Sequence, residues 1–495
     1  MQSEFARNTR PAITADTLLM AALVCSVPLA TWLIFGSLGS GSPQILEFEL
    51  LETCFVLLAI AYLAASSRNR MEWLTAPSLL TLWSVPTFVA FPIWRFAKGE
   101  DRIDDGYIRS MVLVLMGFSA FWLACLITRK GSGLRFAPRL GVAPIRVVFV
   151  SAAMLTIGIG TNFYLWRKGL FGYLADPTLR ERSLGVLQWF AIGGNFLTLA
   201  LAVSAIEVLG GRPQRPFMKI VFWLSLCFAL GFGAISGMKS ASVIPLAVVV
   251  LILWITKGHL PKVALFLPVL ALALIYPFVD AYRANLNSGY RFQSNSIDGL
   301  KAVITQSFKD AFLSFESSGS SQVRVSGEVT GRLSYLSYVH DVVGLPAPAL
   351  LNGDESIWLA PIYPFVPRFL WKDKPVFDKG VRLSLALGRT RATSSAITPI
   401  GDLYSMYGTY GVVCGMFAMG ILLQLVMNWF GKAAISEAGV LIYVVQLPQL
   451  INFEPDFVRF VTDNVQLALI ATIISYSIYG RTIFSIHADG SLSQQ

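Results

Sequence analysis

The chain has 495 residues, of which 55% are hydrophobic and only 14% charged, with a formal net charge of +10. Soluble domains carry about a quarter charged residues, so a chain of this length with so few would be too apolar for water, which excludes a soluble enzyme or carrier. The five cysteines, Cys25, Cys54, Cys125, Cys227 and Cys414, all fall inside apolar segments, which excludes a disulfide framework.

Apolar runs of about bilayer length predict twelve membrane-spanning helices, near 18–38, 45–66, 74–92, 108–128, 145–166, 186–209, 217–235, 241–257, 262–279, 404–430, 433–451 and 463–480. Such runs are far longer than barrel strands, so helices are the only way to satisfy the backbone in lipid. The expected fold is an all-α polytopic membrane protein in three parts. Residues 1–279 hold nine helices, 280–403 form one large loop, and 404–495 hold three helices and a tail. Arg7 and Arg10 precede the first apolar run without a small-x-small cleavage pattern, so that run reads as a retained helix.

Basic residues set the orientation. With the N-terminus inside, sixteen Lys and Arg fall in cytoplasmic segments and nine in the opposite short loops. Both termini are then cytoplasmic and the 280–403 loop is outside. Among the nine, Arg167, Lys168, Arg180 and Arg182 crowd one outer loop. Headgroup contact is one reading of that loop and an anion site is the other.

The large loop has structure of its own. Residues 296–315 read as an amphipathic helix capped by Ser296, with Ile297, Leu300, Ile304, Phe308, Ala311, Phe312 and Phe315 as its stripe. This helix suits the outer leaflet or the bundle surface. A Ser-Gly-rich connection, 317–321, follows. Residues 332–343 are expected to be helical, and the prolines over 345–380 fix an irregular chain.

His340 is the only histidine placed outside, so no multi-histidine metal site is expected, and no metal or other cofactor is implied. No Gly-rich P-loop or G-x-S-x-G elbow is present. Nothing points to nucleic acid. What the outer face carries is arginine: Arg283, Arg291, Arg324, Arg332, Arg368, Arg382, Arg389 and Arg391, with Lys372 and Lys374. Guanidinium forks grip phosphate, and prearranged cations stabilise a leaving pyrophosphate without a metal. Any one of these arginines more often holds a loop carboxylate or a headgroup; the cluster as a whole points to an anionic substrate. On a continuous helix Arg332 and His340 fall on one side, at about 100° per residue. That pairs a phosphate contact with a proton acceptor, although a histidine in this place also serves to cap a loop carbonyl. Asp402, Glu454, Asp456, Asp463, Glu316 and Glu328 are rival bases, ranked lower because acids at helix ends more often act as caps.

The run Phe365-Val366-Pro367-Arg368-Phe369-Leu370-Trp371-Lys372-Asp373-Lys374-Pro375 resembles the PR-aromatic-x-W-x-x-KP block of bacterial oligosaccharide repeat-unit polymerases of the Wzy type. Residues 398–411, Thr-Pro-Ile-Gly-Asp-Leu-Tyr-Ser-Met-Tyr-Gly-Thr-Tyr-Gly, resemble the segment that opens the next helix in such proteins. The resemblance implies a GT-C-like glycosyltransferase of the inner membrane. Such enzymes transfer a glycan from undecaprenyl pyrophosphate to the sugar end of a fresh lipid-linked repeat unit, without ATP or nucleotide sugar. It places Arg368 and Lys374 in the matching motif. A flippase and a chain-length regulator are partners implied by the family alone. From the residues themselves, His340 and Arg332 join Arg368 as candidate catalytic groups. Arg180, Arg182, Arg283, Arg291, Lys374, Arg389 and Arg391 are candidate substrate contacts. Two alternatives stay open. One is an O-antigen ligase acting on lipid A-core, disfavoured because Asp341 follows His340 where that family places Asn or Ser. The other is a non-enzymatic lipid-linked glycan exporter, disfavoured because charge collects at the outer rim rather than along the spans.

Overall fold

A computed structural model describes residues 43–66, 75–130, 145–172, 184–210, 216–257, 275, 277–286, 296–313, 333–353, 355–366, 370–388, 395–433 and 437–479. Its helices run in chain order as α1 (Pro43–Ser66), α2 (Ala76–Ala97), α3 (Asp105–Thr128), α4 (Ile145–Arg167), α5 (Leu184–Leu209), α6 (Pro216–Ile235), α7 (Lys239–Lys257), α8 (Ile297–Phe308), α9 (Tyr335–Val343), α10 (Lys379–Ala386), α11 (Thr398–Ala433), α12 (Glu437–Leu450) and α13 (Phe457–Tyr479). No β-strand occurs among the described residues. Seven of these helices, α1 to α4, α6, α11 and α13, are long and apolar enough to cross a bilayer. The chain is therefore a multi-pass helical membrane protein by length and composition. The helix expected at 18–38 and most of that at 262–279 lie outside the described residues. The other expected spans each overlap a helix, with α12 shortened. Its 14 residues reach about 21 Å at about 1.5 Å per residue, short of a ~30 Å apolar layer. Almost every α12 side chain is buried, as an all-round apolar helix inside a bundle should be.

The core is built on aromatic residues and close helix approach. Phe55 meets Phe118 at 5.4 Å and Trp122 at 5.3 Å, and Phe88 meets Phe118 at 5.6 Å. The Phe55–Phe118 and Phe88–Phe118 pairs are edge-to-face, and such pairs add about 0.5–1.5 kcal/mol each beyond burial. The long α3–α11 contact relies on small residues: a Cβ on Gly420 would lie 2.5 Å from Phe121 O.

The two ends of the bundle differ. At one, the last turns of α1, α3 and α11 meet: Arg129 Nη1 donates to Ala65 O at 2.7 Å, and Asn428 Nδ2 to Thr128 O at 2.8 Å. At the other, described residues between 277 and 400 pack against the turns joining the spans. Tyr282, Leu286 and Val303 join Leu165, Trp166 and Phe171 in one cluster, and Thr398 N donates to Glu454 O at 3.3 Å.

Three expectations for the large loop change in detail. Ser296 does cap α8, accepting from Gly299 N at 3.1 Å, but the inward face centres on Val303 and Ser307. Ile297 and Phe308, expected in the stripe, are 60% and 54% exposed. The helix expected at 332–343 starts at Tyr335, after Ser334 at ψ 87°. The helix expected from 404 starts at Thr398 and breaks at Gly408, with φ 65° and ψ −154°. A Cβ on Gly415 would lie 2.5 Å from Leu403 Cδ2. Twelve residues of straight helix span about 18 Å, so the arm 398–407 folds back along the span that follows it.

Candidate functional site

The site sits at the end of the bundle closed by the large loop. It begins with the turn after α2. Gly99, at φ 70°, takes the left-handed conformation that a helix C-terminus favours. Its N–H donates to Phe96 O at 2.9 Å, and Glu100 N–H donates to Arg95 O at 3.0 Å. This turn brings Asp101 back onto Arg95, whose Nε and Nη2 each reach a carboxylate oxygen at 2.7 Å. The hydroxyls of Tyr107 and Ser337 also donate to Asp101 Oδ2, at 2.7 and 3.2 Å. Burial pushes the Asp101 carboxyl up, but the Arg95 fork and the two hydroxyls outweigh it and hold the group below its ordinary value. Ser337 belongs to α9, so this one carboxylate fastens the helix from the large loop to α2 and α3.

One turn after Ser337 is His340. Its ring stacks on Tyr107 with centroids 4.1 Å apart and planes 17° from parallel. Nδ1 lies 3.9 Å from Asp104 Oδ1 and makes no hydrogen bond among the described residues. Asp104 is held in turn because it caps α3, accepting from Tyr107 N at 2.9 Å. Gly106 leaves room for the imidazole: a Cβ there would lie 2.7 Å from His340 Cε1. The side chain of His340 is 24% exposed. A half-buried imidazole held by a ring on one face and a carboxylate near one nitrogen is suited to accept a proton at the other nitrogen.

A second polar centre lies behind α9. Lys379 of α10 donates to Asp402 Oδ1 at 2.6 Å, and Phe457 N donates to Asp402 Oδ2 at 2.9 Å. Asp456 caps the same helix, accepting from Arg459 N at 2.8 Å. Asn352 and Ser405 bond reciprocally, and Arg382 reaches Asp378 at 2.6 Å. This centre holds the re-entrant arm of α11 to the large loop. Two of the rival bases, Asp402 and Asp456, are thereby committed to structure.

Of the arginines and lysines expected to meet substrate, the described residues place two. Lys374 is buried and donates to Tyr363 O at 2.6 Å and Val366 O at 3.0 Å, so it braces the loop that leads into Arg368. Arg283 Nε donates to Gly237 O at 2.6 Å and ties the 277–286 helical segment to the turn after α6. Arg332, Arg368, Arg180, Arg182, Arg291, Arg389 and Arg391 lie outside the described residues, as do Glu316 and Glu328. The described helix begins at Tyr335, so the helical relation expected between Arg332 and His340 lies outside the described residues. No group of three or more His, Cys, Asp and Glu side chains that could hold a metal ion occurs among the described residues.

Arg95, Asp101, Asp104 and Tyr107 were not singled out by sequence as partners of His340. The signal that could have found them is local: an Arg and an Asp six residues apart across a glycine at a helix end. Their meeting with α9, more than 200 positions away, has no sequence signature.

No curated protein and no solved structure matches the chain. Residues 178–442, more than half of its length, match the family model described as a domain of unknown function, DUF8712. The match takes in His340, Lys374, Lys379, Asp402 and Gly408, and the chain belongs to the DUF8712 family.

Proposed function

We propose that this protein is an inner-membrane glycosyltransferase that polymerises undecaprenyl-pyrophosphate-linked oligosaccharide repeat units at the periplasmic face. In this reading the chain crosses the membrane twelve times with both termini inside. The closed end of the bundle, with residues 280–403, then faces the periplasm. The observation that carries the reading is the seating of α9. A loop helix is pinned into the bundle rim by Asp101, and it presents its half-buried histidine beside Asp104. The resemblance of 365–375 to the polymerase block adds to it.

The chemistry follows from the residues. The acceptor sugar hydroxyl attacks the anomeric carbon of the lipid-linked donor, forming the new glycosidic bond. His340 takes the hydroxyl proton. The bond from the anomeric carbon to the pyrophosphate oxygen breaks, and undecaprenyl pyrophosphate leaves. Arg368 and Arg332 hold the charge gathering on that leaving group. Lys374 acts one step removed, by bracing the chain on either side of Arg368.

The test is the glycan profile of a deletion strain. A polymerase mutant leaves single repeat units on the final carrier, and the gene in trans restores the ladder. Full-length polymer stranded on undecaprenyl pyrophosphate would show a ligase instead, and an unchanged ladder would refute both.

A further inference from the structure

The end of the bundle opposite the large loop carries a feature that the polymerase reading does not use. A groove of about 550 Å³ lies where α4 and α6 begin, lined by Ile145, Val148, Phe149, Ala152, Pro216 and Phe217. Phe149 and Phe217 are 69% and 48% exposed, so the groove opens to the bilayer side of the helices. Two exposed cations flank it. Arg146 is three residues before Phe149, and Lys219 is three residues after Pro216, the spacing of neighbours on a helix surface. Neither makes a hydrogen bond or an ion pair among the described residues. The first turns of α4 and α6 contain no Asp or Glu to neutralise them.

We infer that this groove holds one acyl chain of an anionic phospholipid, with its phosphate on Arg146 and Lys219. The dimensions agree. From Ile145 to Ala152 the groove follows α4 for about 10 Å at about 1.5 Å per residue, running from the helix end toward the middle of the span. A lipid enters with its headgroup at the rim, where the two cations are, and its chain along the apolar floor. The long side chains of Arg and Lys reach the headgroup level from such positions. Basic groups between spanning helices select anionic over zwitterionic headgroups, and bulk lipid on a bare apolar face would show no such choice. The inference does not depend on the sugar chemistry at the other end.

The experiment uses the full chain in maltoside micelles doped with equal amounts of phosphatidylglycerol and phosphatidylcholine of identical acyl composition. Lipid retained after washing is counted by native mass spectrometry. Phosphatidylglycerol should be retained over phosphatidylcholine by about tenfold. Arg146→Gln with Lys219→Gln should bring the two lipids close to parity. Ala152→Phe, which fills the floor, should lower retention of both. Glycerol 3-phosphate alone, at millimolar concentration, should not displace the bound lipid. Equal retention by the wild-type protein, an unchanged preference in the double variant, or displacement by glycerol 3-phosphate alone would each overturn the inference. The two variants act on different atoms, so if one fails to fold the other still decides.

Discussion

Lys379 Nζ and Asp402 Oδ1 lie 2.6 Å apart, with side chains 1% and 0% exposed. The other oxygen of Asp402 accepts from Phe457 N at 2.9 Å. One carboxylate therefore joins three segments distant in sequence: α10 of the large loop, the re-entrant arm of α11 and the first turn of α13. Removing one partner of a sealed pair leaves an uncompensated charge, at a cost of about 3–5 kcal/mol, whereas an apolar pair of similar volume is often tolerated. Lys379→Ala should lower the unfolding midpoint of the purified protein sharply, and Lys379→Met with Asp402→Leu should recover much of the loss. A Lys379→Ala protein as stable as wild type would show that the pair does not hold the loop to the bundle.

The bend at Gly408 rests on backbone freedom alone. Its φ of 65° and ψ of −154° belong to a region only glycine occupies readily, yet a Cβ there would meet nothing within 4 Å. Gly408→Ala should thus cost about 1–3 kcal/mol through strain, without any clash. The arm 398–407 should become more sensitive to protease than the spans, with little change in helix content by circular dichroism.

Asp101 gives a pH signature whose sign is fixed. Its carboxyl is held below its ordinary value in the folded protein, so its stabilisation is complete above the ordinary value, ~3.9. It fades as pH falls through the folded value, where the group takes up a proton. The stability gap between wild type and Asp101→Asn should stay constant from neutral pH down to about pH 5 and narrow below about pH 4. Unfolding midpoints measured across that range decide the matter, and a gap that ignores pH would mean the carboxylate charge does not secure α9.

Two substitutions probe the proposed base. His340→Ala should slow polymerisation by about 10²- to 10⁴-fold, the range for losing a general base. Gly106→Ala leaves the histidine in place but puts a methyl group 2.7 Å from its Cε1. The ring must leave Tyr107, and the rate should fall while the protein still reaches the membrane in normal amount. If both variants polymerise normally, the stacked histidine has a packing role only.

Arg368 tests the other half of the chemistry. An ammonium group cannot reproduce a guanidinium fork, so Arg368→Lys should fail nearly as badly as Arg368→Ala, by on the order of a hundredfold. A wild-type rate in Arg368→Lys would make Arg368 a structural or headgroup contact.

The spans were legible because burial in lipid writes long apolar runs into the sequence, and the starts and ends of α3, α4 and α6 fall within a few residues of those runs. The Ser296 cap was legible because capping is local. The bend at Gly408 was hidden, since the run from 404 to 430 is equally apolar whether the chain enters it straight or folded back. Arg283 and Lys374 show a different limit. A basic residue in an outer loop reads the same whether it meets a phosphate or a backbone carbonyl, and only the carbonyls of Gly237, Tyr363 and Val366 distinguish the two. His340 stood out as the one histidine expected outside, but its setting on Tyr107 and Asp104 came from tertiary packing.

The most direct measurement supplies purified protein with undecaprenyl-pyrophosphate-linked repeat units as sole substrate, in detergent containing EDTA. Products are resolved by gel and the released lipid pyrophosphate is counted. The expected result is a ladder of lengthening glycans, one undecaprenyl pyrophosphate freed per bond formed, and a rate that added magnesium does not raise. No ladder from intact substrate, or a ladder that appears only when a divalent cation is restored, would contradict it.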